Sequence, residues 1–206
     1  MTKNHYDYII CGGGASGLLL AYRICNDPYF KNLSILIIEK DIKNTNDRTW
    51  CFWESGTGDL EELIHKNWDQ ANFTAEDFKL DFSLQPFHYK MIRSLDFYQS
   101  MNNKLAKFDQ LTQIKEKVKS IENGIVTTEI KSYHGGTIFS SIYNTNSLTL
   151  QKKYPVLLQH FIGQVVQTQK PCFDPNKIEF MNFNVPQKGS TRFMRSEEHT
   201  SELQSP

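Results

Sequence analysis

A glycine motif between two short apolar segments constrains the fold of this chain more than any other feature. Residues 6–11 form an apolar run typical of a buried strand, and residues 18–25 have the composition of a buried helix. Segment 12–17 between them has the G-x-G-x-x-G pattern. A second apolar strand follows at residues 33–38, directly before Glu39. This order predicts a βαβ unit of the kind that binds dinucleotides.

Each residue of the motif has its own task in that interpretation. Gly12 permits the tight turn, Gly14 lets a pyrophosphate approach the backbone, and Gly17 allows the helix to pack closely on the strands. The start of the helix, with Ala15 and Ser16, offers free N–H groups and the positive end of the helix dipole to the phosphates.

The acidic residue at the end of the second strand strengthens the prediction. Glu39 follows the last glycine by about 20 residues and is expected to bind the hydroxyls of the adenosine ribose. Lys40, directly after it, is assigned to the same site. Because like charges repel, Glu39 disfavours the 2′-phosphate of NADP. The alternative is a glycine-rich turn in an unrelated α/β domain.

Composition excludes several classes of protein. A chain of 206 residues with 39% hydrophobic residues is long enough for one large domain or two small ones. Its net charge of zero gives no basic footprint for nucleic acid. No apolar run reaches the roughly 20 residues of a membrane span, and no secretory signal is visible.

The pattern of cysteines and histidines predicts reduced thiols and no metal site. The histidines are scattered without metal-ligand spacing. The four cysteines lie far apart, as expected for a cytoplasmic protein; they are Cys11, Cys25, Cys51 and Cys172.

A second distinctive segment, residues 47–54, brings together three aromatic rings, one arginine and two carboxylates. Polar residues flank it, so we predict a loop near the surface or a cleft. Two interpretations remain open. The rings are a structural plug beside a cofactor, or they form the wall of a site whose aromatic faces stabilise a cation.

Short patterned segments predict the elements that follow. Strands are predicted at residues 78–83 and 89–92, and Ser94 is expected to cap a helix. Asn123-Gly124 is a strong hairpin signal, which we expect to join strands 113–121 and 125–133.

Three later segments extend this prediction. Val118 lies within the first hairpin strand, where its backbone N–H and C=O are expected to pair with an adenine edge. A strand at 137–144 is expected to return to the nucleotide sheet. Residues 178–183 alternate between apolar and polar and fit a sheet over a ligand pocket.

The end of the chain has a different character. Residues 195–206 are abruptly polar and match, in order, the translation of a common sequencing-library adapter. We therefore interpret them as an adapter-derived, disordered tail and exclude them from the fold. The chain is then expected to be the N-terminal piece of a longer reading frame.

Two segments together resemble a bacterial lycopene β-cyclase. They are residues 8–18, with the glycine motif, and residues 46–54, with the more specific Asp-Arg-Thr-Trp-x-x-Trp run. The resemblance continues through residues 155–163 and 173–183 and covers about 6–194. Asn182 is a departure, since related sequences usually have aspartate there.

The resemblance implies a fold and a division of the chain. The fold is α/β, a Rossmann-like FAD-binding domain of the GR2 flavoprotein type with a partial antiparallel β-sheet substrate domain, truncated. Residues 1–75 and 94–150 would form the FAD-binding domain, and residues 76–93 and 151–194 the substrate sheet.

The resemblance also implies a reaction. A proton adds to the terminal double bond of lycopene or a related linear carotene, the cation closes a ring, and proton loss gives a β-ionone ring. Reduced FAD takes part without net redox change, so the enzyme is an isomerase and NAD(P)H only reduces the flavin. Because the substrate dissolves in membranes, we expect a cytoplasmic protein with peripheral membrane contact.

Roles for individual residues follow from the same resemblance. Arg48 is assigned to the flavin site, Trp50 and Trp53 to cation stabilisation, and Glu54 to acid catalysis or electrostatic stabilisation. The acidic motif usually given the catalytic role lies beyond Met194. Two alternatives remain: an FAD-dependent hydroxylase or dehydrogenase acting on an apolar substrate, and a fragment with no activity of its own.

Overall fold

The computed structural model describes residues 4–143, 153, 159–163, 169–170 and 174–196. The strands of this part of the chain are β1 (His5–Cys11), β2 (Ile35–Glu39), β3 (Thr49–Glu54), β4 (Ile64–Trp68), β5 (Gln70–Ala75), β6 (Phe78–Ser83), β7 (His88–Arg93), β8 (Leu111–Lys115), β9 (Val118–Glu122), β10 (Ile125–Thr128), β11 (Ser132–Ser140), β12 (Lys177–Asn182) and β13 (Met194–Ser196). The α-helices are α1 (Ala15–Asn26) and α2 (Ser94–Leu105).

The chain divides into two compact units. The first comprises residues 1–47 and 94–158, and the second comprises residues 48–93 and 159–206. A six-stranded sheet and both α-helices belong to the first unit, and two smaller sheets belong to the second.

The βαβ unit predicted at the start of the chain is confirmed. Strands β1 and β2 are parallel, with Tyr8 opposite Ile35 and Cys11 opposite Ile38. Helix α1 connects them and ends before Asp27, whose carboxylate accepts a hydrogen bond of 2.9 Å from the backbone N–H of Tyr29.

The first unit is built on a sheet of strand order β8-β2-β1-β11-β10-β9. Strands β8, β2, β1 and β11 are parallel, and the β9–β10 hairpin extends the sheet in antiparallel pairing. Val126 of β10 and Tyr133 of β11 pack with Ile9 and Leu36 in one buried cluster. The hydrophobic core therefore links the hairpin to the parallel strands.

The described cysteines of the first unit are buried, and Cys11 belongs to this core. Cys11 and Cys25 are free thiols and both are buried. Burial raises the pKa of the Cys11 thiol to about 11, so that thiol is protonated at neutral pH. Cys172 lies outside the described residues.

The predicted hairpin turn is confirmed, but both of its strands are shorter than predicted, because β9 begins at Val118 and β10 ends at Thr128. Asn123 and Gly124 have positive φ angles of 48° and 76°, as the tight turn requires. Residues 113–115 belong to β8 instead, where Gln113 lies opposite Ile37 of β2. The polar composition of β8 hid this parallel pairing from the sequence pattern.

Helix α2 begins at the predicted residue with a different cap. Ser94 is the first residue of the helix, and its hydroxyl donates to Asn46 Oδ1 at 3.3 Å. The backbone N–H of Leu95 donates to the same oxygen at 3.5 Å. Asn46 therefore caps α2 from a segment far away in the sequence.

The second unit has two sheets with different strand directions. Strands β3, β7 and β4 form an antiparallel sheet. The other sheet has the order β13-β12-β5-β6 and is mixed, because β12 runs parallel to β5, with Ile178 opposite Ala71. The prediction of an antiparallel substrate sheet is corrected at this pair, since alternation along one strand does not reveal the direction of its partner.

The structure also places residues 48–75 differently from the predicted domains. They were assigned to the FAD-binding domain, but they lie in the second unit. The reason is strand pairing, because β3 and β4 flank β7 and β5 pairs with β6. The predicted loop at residues 47–54 is for the same reason largely the strand β3.

The beginning of the predicted disordered tail is ordered. Arg195 and Ser196 belong to β13, which pairs with β12. Residues 197–206 lie outside the described residues, as do most of residues 151–158. Within the described ranges, no helix is both long and apolar enough to cross a membrane.

Candidate functional site

The turn after β1 requires glycine at its first position. Gly12 has a φ of +109°, in the region that L side chains rarely adopt, and its backbone N–H donates to Ile38 O at 2.8 Å. A Cβ at this position would overlap the hydroxyl of Ser141. The tight turn predicted for Gly12 is therefore present.

Close packing explains the third glycine of the motif. A Cβ on Gly17 would overlap the carbonyl oxygen of Gly12 and would lie 3.2 Å from Ile10 Cγ2. Helix α1 can approach β1 at this point only without a side chain. Gly17 thus has the packing role that the sequence predicted.

The middle glycine faces open space at the start of α1. Gly14 is the N-cap residue, no side chain caps the helix, and its first turn contains no acidic residue. A Cβ on Gly14 would meet nothing within 4 Å. The first-turn N–H groups, including those of Ala15 and Ser16, have no acceptor within the helix. This end of α1 therefore has both the space and the donors that a phosphate group needs.

Glu39 lies beside the same turn. Its Oε2 accepts a hydrogen bond of 2.7 Å from the backbone N–H of Gly13, and its Oε1 accepts one of 3.0 Å from the N–H of Asp41. Each carboxylate oxygen has two acceptor positions, so each can still accept a ribose hydroxyl. The side chain of Lys40 is largely exposed, and its Nζ lies 3.7 Å from Asp41 Oδ2.

A cleft of about 270 Å³ opens next to Glu39. Its lining includes Gly13 and Leu18 from the βαβ unit, Asn102 from α2, and Lys115 from the end of β8. The carboxyl ends of the parallel strands thus meet the glycine turn at one opening, which is the usual ligand position in an open α/β sheet.

Two predicted cofactor residues are not part of this arrangement. Val118 is the first residue of β9, pairs with Thr128 and packs against the hydrophobic core of the sheet. The residues of this part of the chain that line the cleft are Gln113, Ile114 and Lys115. Arg48 is exposed and belongs to the second unit.

Strand β3 separates the predicted aromatic residues onto two faces. Side chains alternate along a strand, so Trp50 and Glu54 share one face and Trp53 lies on the other. Trp53 is opposite Tyr89 of β7 and is 45% exposed, whereas Trp50 is half-buried opposite Ile92. The two tryptophans therefore do not form one wall.

Glu54 takes part in an ion-pair network around a buried lysine. Lys90 Nζ donates to Glu54 Oε2 at 2.9 Å, to Glu61 Oε2 at 2.6 Å and to Gly56 O at 2.7 Å. Only 2% of the Lys90 side chain is exposed. Glu54 thus compensates a buried ammonium group, so electrostatic stabilisation fits its geometry better than proton donation.

The same network shifts two pKa values in opposite directions. The hydrogen bond to Glu61 raises the pKa of Lys90 and lowers the pKa of Glu61. Each group is more stable in its charged form when the other is present.

Acid is therefore expected to weaken the second unit through Glu61. Its folded-state pKa is lowered, so its contribution is present above the ordinary glutamate pKa of about 4.3 and is lost as the pH falls through the folded value. Urea unfolding followed from pH 6 to pH 3 should show a smaller loss of stability in Glu61→Gln than in the unaltered chain. Glu76→Gln, at an exposed position, is the matched control, and an unchanged pH dependence in Glu61→Gln would contradict the role of this pair.

Sequence reasoning missed three residues of these sites. Lys90 lies between Tyr89 and Met91 in β7, where a lysine would be expected to face solvent. Its partner Glu54 is revealed only by the pairing with β3, and its partner Glu61 only by the tertiary structure. Tyr89 and Phe180 approach Trp53 from other strands, with ring centroids 4.8 and 5.7 Å from that of Trp53. No local pattern signals either contact.

Comparison with known proteins identifies a family. A family model described as lycopene cyclase protein matches residues 7–195. A segment of 39 residues, 19% of this chain and 6% of the relative, is 49% identical to oxygen-dependent choline dehydrogenase of Burkholderia vietnamiensis (strain G4 / LMG 22486).

Solved structures show the fold. The crystal structure of pqsL, a probable FAD-dependent monooxygenase from Pseudomonas aeruginosa, matches with a TM-score of 0.50 and 11% identity, over 66% of this chain and 42% of that one. Halogenase PltM in complex with ethyl mercury and mercury matches with a TM-score of 0.51 and 14% identity, over 71% and 37%. The chain thus spans about two fifths of these relatives, and its α/β fold is that of an FAD-binding flavoprotein.

Proposed function

We infer a function from an established premise: this chain belongs to the lycopene cyclase protein family. It is part of a flavoprotein carotenoid cyclase. We propose that the whole enzyme converts the linear ends of lycopene, or of a related linear carotene, into β-ionone rings without net oxidation or reduction. The single observation that carries the cofactor assignment is the uncapped N-terminus of α1 beside the open space at Gly14.

The residues of the glycine turn fit FAD. The backbone around Gly12 and Gly14 and the N–H groups of Ala15 and Ser16 would hold the diphosphate, and Glu39 would bind the adenosine ribose. In its reduced form the bound flavin would supply an electron-rich ring near a positive charge. NAD(P)H is proposed only as the reductant of the flavin.

Side chains of the second unit are proposed to stabilise the positive charge. Ring closure through a carbocation needs aromatic faces and an apolar surface that exclude water. Trp53 is the first candidate because its ring is 45% exposed. Trp50 and Glu54 lie on the other face of β3, so their proposed role is to hold this strand in place, Glu54 through its ion pair with Lys90.

A peripheral contact with the cytoplasmic face of a membrane is proposed as the route of the substrate. A linear carotene has no polar group and dissolves in the bilayer rather than in water. Phe78 and Leu80 of β6 are 52% and 45% exposed and offer apolar side chains for such a contact.

The decisive experiment follows the reaction of the complete enzyme in D2O. Proton-initiated cyclisation should leave one deuterium in each new ring, with no stoichiometric use of NADH or oxygen. An FAD-dependent hydroxylase or dehydrogenase would instead consume reductant or oxygen in proportion to product. Stoichiometric NADH consumption would therefore overturn the cyclase proposal.

Glu39→Gln is expected to weaken FAD binding by the complete enzyme about tenfold or more. The substitution removes the negative charge from an acceptor that we assign to the ribose hydroxyls, and hydrogen bonds to charged groups contribute roughly 1.5–3 kcal/mol. Titration followed by flavin fluorescence measures the change. Asp41→Asn, in the lining of the same cleft, is the control, and equal losses in both variants would contradict a specific role of Glu39.

For the 206-residue chain alone we propose weak FAD binding and no turnover, because it spans about two fifths of the solved flavoproteins that it matches. The chain purified after expression should therefore lack a flavin absorbance peak. A stoichiometric peak would show that the chain has a complete flavin site.

A further inference from the structure

We propose that Trp53, Tyr89 and Phe180 form an aromatic site for an organic cation, and that this site stabilises the cationic intermediate of ring closure. The identity of the cation rests on the proposed function. The site itself rests on the contacts of the second unit. We call these three residues the aromatic triad.

The aromatic triad is assembled from three strands. Trp53 of β3 lies opposite Tyr89 of β7, and their ring centroids are 4.8 Å apart. Phe180 of β12 lies 5.7 Å from Trp53 and 6.3 Å from Tyr89. The ring planes meet at angles of 55°, 70° and 79°, so the rings are tilted against one another rather than stacked.

A cation already lies over two of these rings. The guanidinium carbon of Arg195 lies 4.6 Å from the centroid of Tyr89 and 5.2 Å from that of Phe180. Both distances are within the roughly 6 Å over which a ring face attracts a cation. We take the position of this guanidinium group to mark where an organic cation would lie against the rings.

The chemistry of the guanidinium group indicates which cations fit. It is planar, its charge is delocalised, and it is weakly hydrated compared with an ammonium group. A tertiary carbocation on an apolar chain is also planar at its charged carbon. It forms no hydrogen bonds, so it is even less hydrated than a guanidinium group. Ring faces are therefore suited to both cations.

The triad has a rigid base and an accessible edge. Tyr89 is 3% exposed and packs in a buried cluster with Trp68 and Met91, and Phe180 packs against that cluster. Trp53, by contrast, is 45% exposed. A ligand can thus approach from the side of Trp53, while Tyr89 and Phe180 are held in position by their packing.

The test measures binding of a cationic amphiphile to the full 206-residue chain. The probe is dodecyltrimethylammonium below its micellar concentration, and the neutral comparison is dodecyl maltoside, both measured by calorimetry. Arg195→Ala removes the resident cation and should strengthen binding of the cationic probe about threefold, without affecting the neutral one.

Two further variants, made in the Arg195→Ala chain, locate the site. Trp53→Leu and Phe180→Leu keep an apolar side chain but remove a ring, so each should lose about threefold in affinity for the cationic probe only. Phe87→Leu is the matched control, because Phe87 is 48% exposed in the same unit and does not belong to the triad. Equal affinities in all of these variants would overturn the site.

The complete enzyme separates failure of the site from failure of the proposed function. If Phe180→Leu lowers both kcat for ring formation and the affinity for the cationic probe, the aromatic site and the proposed cyclase function are both supported. If the probe still depends on the triad but the enzyme oxidises lycopene, only the proposed function fails. If Phe180→Leu cyclises lycopene at the unaltered kcat, the catalytic role of the triad is overturned.

Discussion

Lys90→Met is expected to destabilise the second unit by about 3 kcal/mol. Removal of one partner from a buried ion pair is strongly unfavourable, because it leaves the other charges without compensation. Here the ammonium group is buried and donates to Glu54, Glu61 and Gly56 O. The carboxylates of Glu54 and Glu61 are partly exposed, so water can hydrate them when the lysine is removed. We therefore expect a loss at the lower end of the roughly 3–5 kcal/mol that breaking a buried ion pair costs.

Urea unfolding at neutral pH measures this effect. Lys79→Met is the matched control, because Lys79 is exposed on β6 of the same unit. Adding Glu54→Gln to Lys90→Met should restore part of the lost stability, since one uncompensated carboxylate is then removed. Equal unfolding midpoints for Lys90→Met and Lys79→Met would show that the buried network contributes nothing.

Gly17→Ala is expected mainly to lower stability, whereas Gly14→Ala is expected mainly to weaken flavin binding. A Cβ at Gly17 would overlap the Gly12 carbonyl, which cannot easily move because the N–H of Gly12 is bonded to Ile38 O. Overpacking of this kind costs roughly 1–3 kcal/mol and occasionally more. The higher helix propensity of alanine relative to glycine offsets about 1 kcal/mol of this cost. We therefore expect a net loss of about 2 kcal/mol for Gly17→Ala.

Gly14→Ala should leave the fold almost unchanged. Its Cβ would meet no atom within 4 Å, so the cost is that of a poorer N-cap residue, about 1 kcal/mol at most. The methyl group would occupy the space that we assign to the diphosphate, so FAD affinity of the complete enzyme should fall more than tenfold. Thermal unfolding and flavin titration of both variants make the comparison. If Gly14→Ala binds FAD normally, the diphosphate does not lie beside this residue.

The local structure that was predicted correctly is built from neighbours in the sequence. The glycine turn, α1 and the position of Glu39 at the end of β2 all depend on backbone sterics within one βαβ unit. The turn at Asn123-Gly124 was predictable for the same reason, since both residues adopt positive φ angles that few other residues tolerate. Val118 and Arg48 were assigned on less local grounds, and neither lies in the cleft lining.

The sequence by itself therefore determined a βαβ unit of the type found in dinucleotide-binding folds, because three glycines and an acid satisfy local steric requirements. Tertiary structure alone decided that buried Lys90 pairs with Glu54 and that the ring of Trp53 contacts those of Tyr89 and Phe180. It also decided that residues 48–75 belong to the second unit. Those features depend on which strands pair, and pairing is set by contacts between segments far apart in the chain. Side-chain alternation shows which residues share a face of a strand, but not which residues will lie opposite them.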